Sequence, residues 1–200
     1  MSKILQLYRG LANSKQRFID EVFEQEIYKL VCPQLTIIDA GAYEGEFSFY
    51  CLPFAKKIYA LEPDPKPFKI MKKRIAKFEL EKVIKAYEMA LSGKNGERRL
   101  HNSGYGGSTL HAEGETVENT IPVKTMSLAS FMEQNKISYV DILKVDIESS
   151  EKEVFGASDF PLVADKIKMI IGEHKEGLEE LLKPLGFKYR DYGHIFTFER

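Results

Sequence analysis

The sequence has only two cysteines, no excess of charge of either sign and no long apolar run. Cys32 and Cys51 form neither a C-x-x-C pair nor a spacing typical of metal ligands, which predicts reduced thiols in a cytoplasmic protein. The 29 basic residues are balanced by 30 acidic ones, so no overall positive field favours nucleic acid or an anionic membrane. No apolar run approaches the length of a membrane span, and Met1 to Gly10 lack the apolar core of a signal peptide. These absences argue against a nucleic-acid or membrane partner and leave the oligomeric state open.

The length and the apolar content predict one domain preceded by a helical arm. A chain of 200 residues with 44% hydrophobic content can bury a sizeable core. Asn13-Ser14 can cap a helix whose apolar residues, among them Phe18, Val22 and Leu30, lie on one side. We therefore predict an N-terminal helical arm over residues 1–33 and a Rossmann-like domain over residues 34–200.

A glycine turn after a buried strand is the feature around which the chain is organised. Leu35 to Ile38 is a short apolar run, typical of a strand buried on both faces, and Asp39, Gly41 and Gly45 follow it. Such a turn lets the backbone approach a ligand. Dinucleotide binders use G-x-G-x-x-G, but this chain has D-x-G-x-x-x-G with Tyr43 between the glycines. An acid beside the turn suits a ligand with a positive end and no phosphates, such as S-adenosylmethionine, although an ordinary βα turn is the alternative.

A second acid strengthens the interpretation as a nucleotide site. Lys57 to Leu61 is another short apolar strand, and Glu62 follows it 23 positions after Asp39. Rossmann-type folds place an acid on the ribose hydroxyls at about this spacing. An ionised carboxylate can accept hydrogen bonds from both hydroxyls. The alternative is that Glu62 lies in a solvated turn before Pro63.

The middle of the chain is less regular. A helix predicted from Pro65 to Leu80 carries a basic face that we interpret as solvated. Val83 to Leu91 is predicted as a third strand, and Met89 and Ala90 near its end are positioned to meet an adenine edge. The glycine-rich loop from Ser103 to Leu110, which contains Ser108, either permits close approach to a ligand or is a flexible surface turn.

Polar residues follow two further predicted strands. Asp141 to Glu148 is a buried strand with polar groups at its end, and Ile167 to Ile171 is followed by Glu173 and His174. In a parallel sheet the ends of adjacent strands share one rim, about 4.8 Å apart. Asp146, Glu173 and His174 could then hold Mg²⁺ or Mn²⁺, or Asp146 or His174 could be a metal-free general base. Successive residues alternate faces, which argues against Glu173 and His174 binding one ion and favours the base. The remaining alternative is that Glu173 and His174 only hydrogen-bond neighbouring loops.

Several motifs in sequence order resemble the FkbM family of S-adenosylmethionine-dependent methyltransferases. The matches are Asp39-Ala40-Gly41-Ala42 with Gly45, Ala60-Leu61-Glu62-Pro63, Ala90-Leu91-Ser92, Gly107-Ser108-Thr109-Leu110, Thr125-Met126, Leu143-Lys144-Val145-Asp146-Ile147-Glu148 with Glu151, and Ile170-Ile171-Gly172-Glu173-His174. They cover roughly residues 35 to 190. The family pattern favours asparagine at Tyr43, glycine and alanine at Ser149-Ser150, and aspartate at Ser127.

The resemblance implies a fold, an activity and a set of site residues. The fold is a doubly wound, mostly parallel seven-stranded sheet with helices on both faces and an antiparallel C-terminal strand. The activity is methyl transfer from S-adenosylmethionine to a hydroxyl of a small molecule, a sugar or a secondary metabolite. A nicotinamide-dependent oxidoreductase and a non-catalytic nucleotide-binding module are the alternatives. Cofactor-binding residues are expected at Asp39, Gly41, Ala42, Tyr43, Gly45, Glu62, Pro63, Met89 and Ala90, catalytic residues at Asp146 and His174, and substrate-binding residues at Ser108, Lys144 and Glu148.

Overall fold

A computed structural model of the protein describes residues 34–101, 109–110, 120–148, 150–173, 176–193 and 195–200. The helical arm predicted over residues 1–33 lies outside the described residues, as do Ser108, Ser149 and His174. The expectations for these parts of the chain stay predictions.

Strands and short helices alternate along the described chain. In order, the elements are β1 (Leu35–Ala40), α1 (Glu46–Tyr50), β2 (Ala55–Leu61), α2 (Pro65–Lys77), β3 (Ile84–Tyr87), β4 (Ala90–Leu91), β5 (Gly96–His101), β6 (Thr109–Leu110), β7 (Thr120–Met126), α3 (Leu128–Gln134), β8 (Val140–Val145), α4 (Glu151–Phe155), α5 (Pro161–Ala164), β9 (Ile167–Gly172), α6 (Leu178–Leu182), a 3-10 turn (Lys183–Leu185), β10 (Lys188–Asp191) and β11 (Phe196–Glu199). None of these helices is long and apolar enough to cross a membrane.

Seven strands form one large sheet in the order β10-β11-β9-β8-β1-β2-β3. The pairs β1–β2, β2–β3, β1–β8 and β8–β9 are parallel. β11 is antiparallel to both of its neighbours, β9 and β10. The predicted fold is therefore confirmed, including the strand number and the reversed C-terminal strand.

The central strands of the large sheet are mostly apolar, and their side chains are buried on both faces of the sheet. Ile37 belongs to one cluster of buried apolar side chains, and its neighbour Ile38 belongs to the other. Ile142 and Leu143 of β8 divide in the same way. Alternate residues of a strand point to opposite faces, so the two clusters lie on the two sides of the sheet.

The strand order reverses between β1 and β8, and this position determines where a ligand can bind. The chain passes from β1 outward to β2 and β3, then returns to place β8 on the other side of β1. In open α/β sheets, ligands bind outside the carboxyl ends of the strands at such a switch point. Gly41 follows β1 there, and Asp146 follows β8.

A second sheet that the sequence analysis did not predict adjoins the first. Its order is β4-β7-β5-β6, with β4 parallel to β7 and β5 antiparallel to β6 and β7. The prediction of one strand from Val83 to Leu91 was wrong, because the chain leaves the large sheet after Tyr87. Ala90 and Leu91 pair instead with Thr125 and Met126 of β7.

The helix ends follow capping residues in the sequence. Asp64 caps α2 by accepting a hydrogen bond from the backbone N–H of Lys66, and Ser127 caps α3 by accepting one from that of Ser130. α2 ends at Lys77 and not at Leu80 as predicted.

Candidate functional site

The turn after β1 packs against the end of β8 so closely that it needs glycine. Gly41 has φ +77°, and a Cβ atom there would lie 1.8 Å from the carbonyl oxygen of Asp146. At Gly45, with φ +94°, a Cβ atom would lie 2.6 Å from the ring of Phe49. Glycine is therefore required at both positions by backbone angle and by space.

The N–H groups of this turn donate to oxygens of the protein itself. Those of Gly41 and Ala42 donate to the carbonyl oxygen of Leu61 at 3.0 and 2.9 Å. The N–H of Gly45 donates to the carbonyl oxygen of Ala42 at 2.8 Å. The turn thus brings backbone close to the switch point but does not present these N–H groups to an anion.

Glu62 joins the turn after β1 to the turn after β2. Its Oε2 accepts from the N–H of Tyr43 at 2.8 Å, and its Oε1 accepts from the N–H of Asp64 at 2.8 Å. The residue is 6% exposed, and burial raises the pKa of its carboxyl to about 7 even though the two amide hydrogen bonds oppose that rise. Each carboxylate oxygen has a second lone pair, so Glu62 can accept further hydrogen bonds from a ligand.

Glu62 lies in a cleft with about 720 Å³ of free space, part of it open to solvent. The cleft is lined by Gly41, Tyr43, Glu62, Pro63, Asp64, Pro67, Ala90, Leu91, Leu100, Leu110, Asp146, Ile147 and Glu148. One part of the wall carries carboxylates and the other is apolar. Leu100 and Leu110 come from the second sheet. Leu100 was not predicted, because no regular alternation marks β5, whereas Leu110 ends the glycine-rich loop for which close approach to a ligand was one interpretation.

Most residues predicted to contact the cofactor lie together around this cleft. Gly41, Tyr43, Glu62, Pro63 and Ala90 line it, together with Asp146 and Glu148 from the predicted catalytic and substrate sets. Ala42 lines a smaller adjoining cavity, described below. Gly45 is buried beneath the turn.

Two of the predicted cofactor residues lie elsewhere. Met89 packs against the hydrophobic core of the large sheet and is not among the residues lining the cleft. Asp39 has no exposed surface, and the hydroxyl of Ser48 donates to its Oδ2 at 2.6 Å. Any effect of Asp39 on a ligand is therefore transmitted through the residues that it contacts.

Lys144 lies under the glycine turn in a smaller cavity lined by Gly41, Ala42, Tyr43, Glu46, Phe47, Lys144 and Asp146. Its Nζ donates to the carbonyl oxygen of Gly41 at 2.8 Å and to Oδ2 of Asp146 at 3.3 Å. It lies 3.5 Å from Oδ1 of Asp39. Burial alone would lower the pKa of Lys144, but the carboxylates of Asp146 and Asp39 outweigh burial and raise it. The ammonium group therefore stays charged.

Arg74 of α2 holds the outer side of the same turn. It donates to the carbonyl oxygen of Glu44 at 3.0 Å and pairs with the Glu44 carboxylate at 2.7 Å. Oε1 of Glu46 lies 3.7 Å from Nη1 of Arg74. In the sequence, Arg74 belongs to a basic helix face that is interpreted as solvated, and the pair of acids in the turn, Glu44 and Glu46, is the only signal for its role.

The described residues contain no group of three or more His, Cys, Asp and Glu side chains that could hold a metal ion. Glu173 is exposed just after β9, while His174, the third candidate ligand, lies outside the described residues. The metal alternative thus gains no support from the residues whose positions are known.

The mostly parallel sheet with one reversed strand, and a cleft at its switch point, form a Rossmann-like fold that solved methyltransferase structures share. The methyltransferase FkbM domain matches residues 39–198, which is most of the chain. The protein belongs to the FkbM methyltransferase family. No curated protein matches the chain in sequence.

Solved structures of several methyltransferases share the fold. The FkbM methyltransferase of Methylobacillus flagellatus KT aligns with a TM-score of 0.58 and 11% sequence identity. The alignment covers 90% of this chain and 46% of that protein's chain. This chain therefore spans about half the length of that protein. The precorrin-6y C5,15-methyltransferase of Geobacter metallireducens GS-15 has a TM-score of 0.52 and 15% identity, covering 90% of this chain and 88% of its own. A putative rRNA methylase of Clostridium thermocellum has a TM-score of 0.53 and 10% identity, covering 88% of this chain and 93% of its own.

Proposed function

We propose that this protein transfers a methyl group from S-adenosylmethionine to a hydroxyl group of a small molecule, such as a sugar or a secondary metabolite. The observation that carries the cofactor proposal is the position of Glu62. Its carboxylate is fixed by two backbone N–H groups and lines the cleft at the carboxyl end of β2. This is where Rossmann-type folds bind ribose hydroxyls.

The residues around Glu62 fit the remaining parts of that cofactor. Because Gly41 has no side chain, the turn can pack against the end of β8, and both Gly41 and Asp146 then line the cleft. Pro63 and Ala90 also line the cleft and are proposed to offer apolar surface to the adenine ring. When bound, S-adenosylmethionine supplies a methyl group on a sulfonium leaving group, so these residues need only to hold and align it.

The turn itself favours this ligand over a nicotinamide dinucleotide. A pyrophosphate needs free backbone N–H groups, but those of Gly41 and Ala42 donate to Leu61, and that of Tyr43 donates to Glu62. The family match also points to methyl transfer. Both observations weigh against the oxidoreductase alternative.

The charge of the cleft favours a small acceptor over a nucleic acid. Four carboxylates line it, and none of the lining residues that the structure describes is a lysine or arginine. A phosphate backbone would be repelled from such a wall. The acceptor is therefore proposed to be neutral or cationic where it enters the cleft.

A hydroxyl acceptor must lose its proton as it is methylated, and Asp146 is the described residue best placed to take it. Its side chain is 31% exposed, lines the cleft and is held by Lys144. His174 is the other proposed base, and Ser108 and Glu148 are proposed to orient the acceptor. No metal ion is needed for this step.

Calorimetric titration with S-adenosylhomocysteine tests the first half of the proposal, because this demethylated product of the cofactor can bind without an acceptor. Micromolar binding is expected, and absence of heat at millimolar ligand would contradict cofactor use. Transfer of labelled methyl to panels of neutral sugars, metabolites bearing hydroxyls and RNA then tests the acceptor. Labelling of RNA alone would contradict the small-molecule proposal. Binding without any transfer would support the non-catalytic module.

Asp146→Asn separates catalysis from binding. Near neutral pH it should keep S-adenosylhomocysteine affinity while abolishing methyl transfer, because asparagine keeps an oxygen that can accept from Lys144, and a chelator should leave the wild type active. Asp165→Asn is the control, since Asp165 is an exposed aspartate just after α5. Unchanged turnover in Asp146→Asn would remove Asp146 as the base.

A further inference from the structure

The buried ammonium of Lys144 is the feature of this site that binding and chemistry alone do not explain. Lys144 is 8% exposed on a strand whose neighbouring residues, Leu143 and Val145, have no exposed surface. Removing a cation from water is costly unless it is paired and hydrogen-bonded. This ammonium group donates hydrogen bonds to two oxygens, and a third oxygen, Oδ1 of Asp39, forms an ion pair with it at 3.5 Å.

Those three oxygens belong to different parts of the site. The carbonyl oxygen of Gly41 is in the turn that would approach the cofactor, and Oδ2 of Asp146 lies beyond β8. Oδ1 of Asp39 lies beneath the turn. The hydroxyl of Ser48 donates to Oδ2, the other oxygen of that carboxylate. One side chain therefore contacts both edges of the switch point.

We propose that Lys144 is a positioning residue that links the glycine turn to the Asp146 carboxylate, with Asp39 as the buried counter-ion that keeps it in place. This inference rests on the proposed function. It assigns Lys144 to the framework of the site, in place of the direct substrate contact that the sequence suggested. Cofactor affinity and placement of Asp146 then depend on the same ammonium group.

This role requires a charged lysine, so ligand affinity should fall at alkaline pH when Lys144 loses its proton. The groups that act on Lys144 are Asp39 on β1, Asp146 after β8 and Glu173 after β9, with Glu46 and Tyr43 across the smaller cavity. Asp39→Asn keeps an oxygen that can accept from Ser48 but removes one carboxylate beside Lys144. Burial, which lowers the pKa of Lys144, would then be less opposed, and the ammonium should lose its proton at lower pH.

Calorimetry with S-adenosylhomocysteine between about pH 8 and pH 10.5 tests this, in a range above the titration of Glu62. Wild-type affinity should be flat over most of the range. Lys144→Met should bind about tenfold to a hundredfold more weakly at every pH, the loss typical of a charged hydrogen bond. Asp39→Asn should bind more weakly than the wild type even at the lower end, because the buried counter-ion is lost, and should lose further affinity as the pH rises. Lys168→Met, at an exposed lysine of β9, is the control and should match the wild type.

If Asp39 had a purely structural role, Asp39→Asn would weaken S-adenosylhomocysteine binding equally at all pH values. Parallel curves of affinity against pH for Asp39→Asn and the wild type would therefore overturn the inference. Wild-type affinity in Lys144→Met would also overturn it. If Lys144→Met does not fold, Asp39→Asn/Lys144→Met removes the unpaired buried charge and takes its place, with the same expected loss. Absence of heat in the wild type would instead contradict the proposed function, so the two failures are distinguishable.

Discussion

A Cβ atom on Gly41 would lie 1.8 Å from the backbone carbonyl oxygen of Asp146, which is inside the contact distance of any two heavy atoms. Gly41→Ala must therefore push the turn after β1 away from the end of β8. We expect it to lower the free energy of unfolding by about 1–3 kcal/mol, the usual cost of overpacking, and to abolish S-adenosylhomocysteine binding. Urea denaturation and calorimetry measure the two effects.

Gly193→Ala is the matched control for that variant. Gly193 also has a positive φ, +87°, but a Cβ atom there meets nothing within 4 Å. Gly193→Ala therefore has the backbone strain of Gly41→Ala without a steric clash with a neighbouring atom. Equal losses of stability in the two variants would show that the close approach to Asp146 is unimportant.

Glu62 should give two opposite pH dependences in the wild type. Because burial raises the pKa of its carboxyl to about 7, the folded protein loses stability as the pH rises from the unfolded-state value near 4.5 through 7. S-adenosylhomocysteine affinity should rise over the same interval, since the ionised carboxylate accepts hydrogen bonds more strongly. Denaturation and calorimetry from about pH 5 to 8 measure the two slopes.

Glu62→Gln should remove both slopes and weaken binding by about 1–3 kcal/mol. The amide NH₂ would also face one of the two N–H donors that Glu62 now accepts from. Glu133→Gln is the control, because Glu133 is an exposed glutamate of α3 and does not line the cleft. Identical pH profiles for Glu62→Gln and the wild type would place the titrating group elsewhere.

Tyr43 adopts a backbone conformation that costs a tyrosine free energy. Its φ is +51°, in the left-handed region that asparagine tolerates best after glycine. Tyr43→Asn should raise the free energy of unfolding by up to about 1 kcal/mol, a fraction of the left-handed penalty, and keep the N–H bond to Glu62. Thermal denaturation measures the gain.

The comparison for Tyr43→Asn is Lys136→Asn, at an exposed residue with φ +54°. It should gain similar stability with no change in ligand affinity. A loss of stability in Tyr43→Asn alone would mean that the tyrosine ring contributes more packing than the backbone loses in strain.

Arg74 should stabilise the cofactor turn more than its position on a basic helix face suggests. Arg74→Met removes the ion pair with Glu44 and the hydrogen bond to its carbonyl oxygen. We expect a loss of about 1 kcal/mol, since the pair is partly exposed, and faster amide exchange at Gly45. Lys73→Met, at the exposed preceding position, should change neither quantity. Equal amide exchange rates at Gly45 in the two variants would contradict a stabilising role of Arg74 in the turn.

The sequence predicts the large sheet well because its strands are short apolar runs that end in glycine, proline or an acid. β1 and β2 have this form, and their ends place Gly41 and Glu62 at one rim. The second sheet could not be predicted in the same way. β4 and β6 have two residues each, and β5 is mostly charged with only Leu100 buried.

The candidate site likewise contains residues that the sequence predicts and residues that it does not. Residues directly after a strand could be assigned to the cleft from sequence order alone, as for Glu62 and Asp146. The burial of Asp39 and its pairing with Lys144 could not, because they depend on which strands become neighbours. Leu100 was missed for the related reason that it belongs to the unpredicted second sheet.

The position of β11 has a consequence for how the chain folds as it is synthesised. β11 follows β10 in the chain but lies between β9 and β10 in the sheet, with Phe196 opposite Gly172. Until residues Phe196–Glu199 have left the ribosome, β9 has an unpaired edge and β10 has no partner in the sheet. An unpaired apolar edge is a site of aggregation. A nascent chain that pauses before Phe196 would therefore depend on chaperones in a way that the completed chain does not.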